Sequence, residues 1–312
     1  MEFNLSGLGF FTFFCQLMLG VSYASLPSEV YWQTMLPNTQ MPKAIRDILR
    51  PRHDGSTSFH VTEDSTNSHS GDKALVYLTA RAKAPVFTST GEQGQDDLNV
   101  ANFFLEKELH PGSKMKLHFT KITNGSTFLP REVAESIPFS STKLPDILNL
   151  FSVKPESPEA KIIKETIGVC EEPSNVEGED NYCATSLESI IDFSTSVLGQ
   201  KVEALSTEVE TGTQDYKIEA GVVEMVGDKA LSCHKQKYPY AVFYCHATLR
   251  TRTYTVPLVD AKGTKSKAVA ICHKDTSEWN PKHLSFQVLK VKPGTVPICH
   301  FLPNDHIVWV AN

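Results

Sequence analysis

Four times this chain writes a short run of β-forming residues that ends in Cys-His: Lys229–His234, Ala241–His246, Ala268–His273 and Thr295–His300. Ten residues separate the first two dipeptides, 25 the second and third, and 25 the third and fourth. On an extended strand, neighbouring side chains point to opposite faces. The Cys and His of one dipeptide therefore do not reach the same ion. That argues against a zinc ribbon or finger, which needs paired cysteines at close spacing. The simpler division sends sulfur to one face, to cross-link, and imidazole to the other. Where the strands are neighbours, His234, His246, His273 and His300 converge. Imidazole suits Zn, Cu, Fe and Ni, and the affinity order peaks at Cu²⁺. With the thiols consumed in disulfides, an all-nitrogen site outside the cytosol leans to copper.

The compartment follows from the other end of the chain. Leu5–Val21 is apolar and uncharged, and Ser22-Tyr23-Ala24-Ser25 suits signal peptidase after Ala24. The apolar heart falls short of the roughly 20 residues of a membrane span. Residues 1–24 are therefore expected to be a cleaved secretory signal, with no membrane span in the mature form. Cys15 would leave with it. The six cysteines that remain are Cys170, Cys183, Cys233, Cys245, Cys272 and Cys299. An even number in an oxidising compartment suggests disulfides, and 15 full pairings are possible. A Cys170–Cys183 bridge is favoured by proximity. Asn124-Gly125-Ser126 is a glycosylation sequon. A net charge of −6 gives no electrostatic reason to hold nucleic acid.

Residues 25–100 read as an N-terminal segment and linker. A short helix is expected at Lys43–Leu49, residues 52–73 are Ser/Thr-rich, and Ala74–Thr79 alternates like one strand. Residues 101–312 turn globular. A strand is expected at Met115–Phe119, and helices at Pro130–Ile137, Leu144–Phe151, Pro158–Val169 and Ser186–Leu198. Cys170 and Cys183 then staple a helical hairpin. β-type runs follow at Lys201–Glu208, Lys217–Val226, Tyr240–Leu249, Thr253–Val259, Lys267–Cys272, Ser285–Val291 and Ile307–Val310. Helices first and strands afterwards predict an α+β fold: the hairpin packed on a largely antiparallel sheet or sandwich, stapled by disulfides.

The CH-x10-CH-x25-CH-x25-CH spacing resembles the signature of the plant BURP domain. Phe103-Phe104-Leu105 with Leu109-His110-Pro111-Gly112 looks like the family's opening motif. Tyr31-Trp32-Gln33 with Leu36-Pro37-Asn38-Thr39 looks like its short segment after the signal. Gly294–Phe301 with Trp309-Val310 looks like its ending. The resemblance implies that the four CH histidines hold copper, two ions being expected. Several members are copper-dependent oxidative peptide cyclases, which use dioxygen to join a Tyr or Trp side chain to an unreactive carbon. His110 is a further candidate ligand. Asp275, two residues after His273, is a candidate to orient that ring. Self-processing members carry Tyr- or Trp-ended cores, whereas residues 78–169 here contain neither residue. A peptide substrate would then come from another chain. The alternative is a non-catalytic cell-wall, seed or stress-response protein partnered by a wall component, in the apoplast or a vacuole.

Overall fold

The computed structural model describes residues 28–49, 103–122, 125–173 and 180–312. Among these, helices form at Ser28–Met35 (α1), Lys43–Leu49 (α2), Arg131–Ser136 (α3), Leu144–Leu150 (α4), Pro158–Glu171 (α5), Leu187–Leu198 (α6) and Leu284–Leu289 (α7). The strands are Phe103–Leu105 (β1), Lys114–Phe119 (β2), Asn181–Ala184 (β3), Val202–Leu205 (β4), Gly212–Ile218 (β5), Val223–Glu224 (β6), Lys229–Lys235 (β7), Phe243–Leu249 (β8), Thr251–Asp260 (β9), Lys265–His273 (β10), Ile298–Phe301 (β11) and Ile307–Ala311 (β12). The fold is α+β, as expected.

The strands sort into two antiparallel sheets. One runs β1-β11-β10-β9-β5-β2, with β6 beside β9; the other runs β3-β8-β7-β12-β4. Alternation sets what each face does. In the five-stranded sheet, Leu231, Cys233, Phe243, Cys245 and Trp309 point outward into a core shared with α6, α1 and α2. In the seven-stranded sheet, Ala268, Ala270, Cys272, Cys299 and Phe301 point the other way. That sheet curls far enough for Phe119 on edge strand β2 to meet Phe301 on β11, with ring centroids 5.9 Å apart. The remaining faces look at each other across Ala230, Val308 and Val310 on one side and Val269 and Ile271 on the other. Continuing those alternations reaches His234 on β7, two steps past Ala230 through Ser232, and His273 on β10, one step past Ile271.

Helix α6 shows how local chemistry fixes an element. The Ser186 hydroxyl accepts from Ser189 N at 3.1 Å, and the Ser189 hydroxyl donates back to Ser186 O at 2.9 Å. Leu187, Ile190 and Ile191 are fully buried on the face toward the five-stranded sheet. A separate lobe of α3, α4 and α5 closes over Tyr238, Tyr240 and Val242, in the connection between β7 and β8.

Three expectations are corrected. Cys170 lies in the last turn of α5, and Cys183 lies on β3. Their bridge therefore ties a helix to an edge strand rather than two helices to each other. Ser285–Val291, read as a strand, is the helical turn α7 followed by Lys290 in a left-handed conformation. Its seven-residue alternation is too short to tell a strand from one buried helical turn, and His283 Nδ1 caps the turn by accepting from Ser285 N. The single run Lys217–Val226 is the end of β5 plus the separate β6, parted at Gly221, whose φ of +104° a side chain would resist. Strands β1 and β3 were not anticipated. Ala74–Thr79 and the sequon residue Asn124 lie outside the described residues.

Candidate metal centre

Each sheet builds one half of the site by the same construction. On β7 and β8, Cys233 stands opposite Cys245, and the two are joined with their Cα atoms 4.0 Å apart. On β10 and β11, Cys272 stands opposite Cys299, joined at 3.9 Å. Each His follows its Cys, and the strands run antiparallel. The two rings of a pair therefore project diagonally from the opposite face. His234 Nε2 lies 3.0 Å from His246 Nε2, with rings 16° from parallel and centroids 5.1 Å apart. His273 Nε2 lies 3.4 Å from His300 Nε2, with rings 15° from parallel and centroids 5.5 Å apart. Two disulfides thus sit in the two outer cores, and two imidazole pairs sit on the faces between the sheets.

The pairs are in electrostatic reach of one another. His300 and His273 both bear on His234, and His246 bears on His273 and His300. Burial, before any neighbour, pushes these rings down: His273 to about 3, His300 to about 4, and His234 well below the ordinary value. Burial lowers His246 as well. The rings are therefore neutral at physiological pH, with ring lone pairs available.

The donor spacing is informative. Two nitrogens at about 2.0–2.1 Å from one ion lie roughly 2.9 Å apart at a right angle and roughly 3.4 Å apart at a tetrahedral angle. Both pairs fall in that range, so each fits two adjacent positions around a metal ion. Among the described residues no group of three His, Cys, Asp or Glu side chains is set to hold one ion.

Two candidates are not part of the arrangement. His110 is exposed, and its ring contacts stay within its own turn, at Pro111 O and Ser113 Oγ, 3.1 Å each. Asp275 is exposed and makes its contacts elsewhere. It accepts from Ser277 N and Oγ at 3.0 and 2.7 Å and pairs with Arg250 at 2.8 Å. Those hydrogen bonds, before Arg250, hold its carboxyl below the usual range.

The residue that backs His234 is instead His306, which sequence reading missed. Its Nδ1 lies 2.9 Å from His234 Nδ1, with the rings nearly perpendicular. Burial pushes His306 down to about 3. A neutral His234 has one N–H, so it donates in one of its two imidazole contacts and accepts in the other. The signal was present: running the β12 alternation back from Val310 and Val308 puts position 306 on the same face. The second pair has aromatic walls. Trp279 lies 4.8 Å from His273 and His283 4.9 Å from Trp279, while Phe103, opposite His300 on β1, lies 6.0 Å from that ring.

Two antiparallel sheets, each carrying a cross-strand disulfide on one face and an imidazole pair on the other, define the class. The chain belongs to the BURP domain family, which it matches over residues 102–311. It is 53% identical over 233 residues to BURP domain-containing protein 3 of Oryza sativa subsp. japonica, covering 72% of this chain and 54% of that one. It is 51% identical over 253 residues to BURP domain protein RD22 of Arabidopsis thaliana, covering 78% and 64%. The chain thus spans under two thirds of the length of both relatives. BURP domain-containing protein 5 of Oryza sativa subsp. japonica is 40% identical over 297 residues, covering 93% and 89%. Among the described residues no helix is long and apolar enough to cross a membrane.

Proposed function

We propose that this protein binds copper through His234, His246, His273 and His300, and that it catalyses oxidative cyclisation of a Tyr- or Trp-containing peptide supplied by another chain. The observation that carries the reading is the pair of facing Nε2 atoms, built twice on disulfide-braced strands. Copper, when bound, supplies one-electron chemistry with dioxygen. The protein's part is to hold neutral imidazoles in place, with His306 against His234. Phe103 and Trp279 lie beside the rings of the second pair and supply aromatic surface there for an aromatic side chain of the substrate. In the net reaction the peptide loses two hydrogens as a bond forms between its aromatic side chain and a carbon. Dioxygen accepts those hydrogens and leaves as hydrogen peroxide. The three disulfides and the signal-like residues 1–24 support a place in the secretory pathway, outside the cell or in a vacuole.

The test is incubation of copper-loaded protein in air with Tyr- and Trp-ended peptides, read by mass spectrometry. The proposal expects products lighter by two hydrogens, absent with the His273→Gln variant. A second reading, a non-catalytic wall, seed or stress-response protein, is favoured by the absence, among the described residues, of three His, Cys, Asp or Glu side chains set to hold one ion. Copper binding with no mass change in any peptide supports that reading and overturns the first.

A further inference from the structure

Residues 28–49 are separated in sequence from the matched domain, which begins at 102, yet they are built into its core. Helices of eight and seven residues do not hold themselves together in water. Their order here comes from docking. Trp32 is 3% exposed and packs on Trp309 of β12, with ring centroids 5.4 Å apart. Its indole N–H donates to Thr39 O at 3.0 Å, which closes the turn between α1 and α2. Leu36, Ile45 and Ile48 are buried beside it.

Polar contacts fix the segment along its length. At the start, Tyr31 donates to Asp192 at 2.5 Å while Arg131 pairs with the same carboxylate and lies over the Tyr31 ring. In the middle, the Thr39 hydroxyl donates to Val202 O at 2.6 Å. At the end, Lys121 reaches Asp47 at 2.7 Å. None of this is covalent, since the six cysteines outside residues 1–24 all lie between 170 and 299.

We propose that residues 28–49 form a docked segment that stays on the domain when the chain between residues 50 and 102 is cut, so that the protein persists as two chains held without a covalent link. The surface formed by α6, Trp309 of β12 and the edge strand β4 is then a binding site for a two-helix peptide. Its recognition elements are an indole, flanking aliphatics and a phenol that meets Asp192. Cleavage would leave the core of the five-stranded sheet covered, including the face behind Cys233 and Cys245.

The test inserts a specific protease site after residue 60 of the full chain, cleaves to completion, and compares denaturing electrophoresis with native mass spectrometry. The expected result is two fragments on the gel and a single 1:1 complex in the native measurement. Trp32→Ala in the same protein is expected to weaken retention by about 30-fold, as a central buried tryptophan does in an interface. Tyr31→Phe, which keeps the ring and loses only the bond to Asp192, is expected to weaken it several-fold, and it serves if Trp32→Ala does not fold. Separation of the fragments at micromolar concentration overturns the proposal. So does retention that Tyr31→Phe leaves unchanged, or a complex that forms only between two copies of the large fragment.

Discussion

At the residue scale, His234 is the side chain on which the site turns. Both of its ring nitrogens face another imidazole, His246 at 3.0 Å and His306 at 2.9 Å. Partners behind a ligand ring set its orientation and basicity, and losing one typically weakens metal binding about 10–100-fold. His306→Ala is therefore expected to weaken copper binding by that order, while copper titration of the second pair stays unchanged. Nitrogen-15 NMR of the metal-free variant should also show an altered His234 tautomer.

The depressed rings make a second prediction. In the unfolded chain they take up protons near pH 6.5. In the folded protein His273, His300 and His306 do so only at about 3 to 4. Between those limits the unfolded state binds more protons, so stability falls as pH falls through that window. Thermal melts of the metal-free protein from about pH 7 to about pH 4 should show a declining Tm. The His273→Gln/His306→Gln double variant should flatten that decline.

The four CH histidines were legible from the dipeptide repeat alone, because adjacency on a strand dictates opposite faces. His306 was not, because it has no Cys beside it and sits in a turn after Pro303. His110 and Asp275 were misplaced for the opposite reason. Nearness in sequence to a motif says little about a turn residue whose bonds are satisfied locally by Ser113 or Ser277.

At the scale of elements, the strand pairs carry the site, and the disulfides fix their register. The Cys272–Cys299 bridge closes 27 residues, which contain α7 and Trp279. Removing it by Cys272→Ala/Cys299→Ala should cost about 3–4 kcal/mol in urea unfolding. It should also weaken copper binding at the second pair more than at the first. Ser186→Ala removes the cap of α6 and should cost about 1 kcal/mol, with no effect on copper titration.

The long alternating strands and the amphipathic helices could be read from periodicity, since ten residues of Thr251–Asp260 or twelve of Leu187–Leu198 leave little ambiguity. Elements of three or four residues such as β1 and β3 carry no period. They exist because β11 and β8 offer them an edge. The helix α7 was misread because a turn of six residues can satisfy either period. Tertiary burial of Phe286 and the His283 cap settle it.

At the scale of the whole molecule, the proposed copper site rests on bringing two sheets face to face. Alternation along β7 and β10 predicts which way each ring points, but only the packing of Ala230, Val308 and Val310 on Val269 and Ile271 brings the two pairs toward each other. The long sequence separation of those strands hides that packing from local patterns. The proposed copper donors among the described residues are these two pairs. Pulsed electron paramagnetic resonance of the copper-loaded protein tests that assignment most directly. The account predicts coupling to two imidazole nitrogens at each ion, loss of one signal on His246→Gln, and loss of all specific copper when His234, His246, His273 and His300 are all glutamine. An unchanged copper spectrum in that fourfold variant would contradict it.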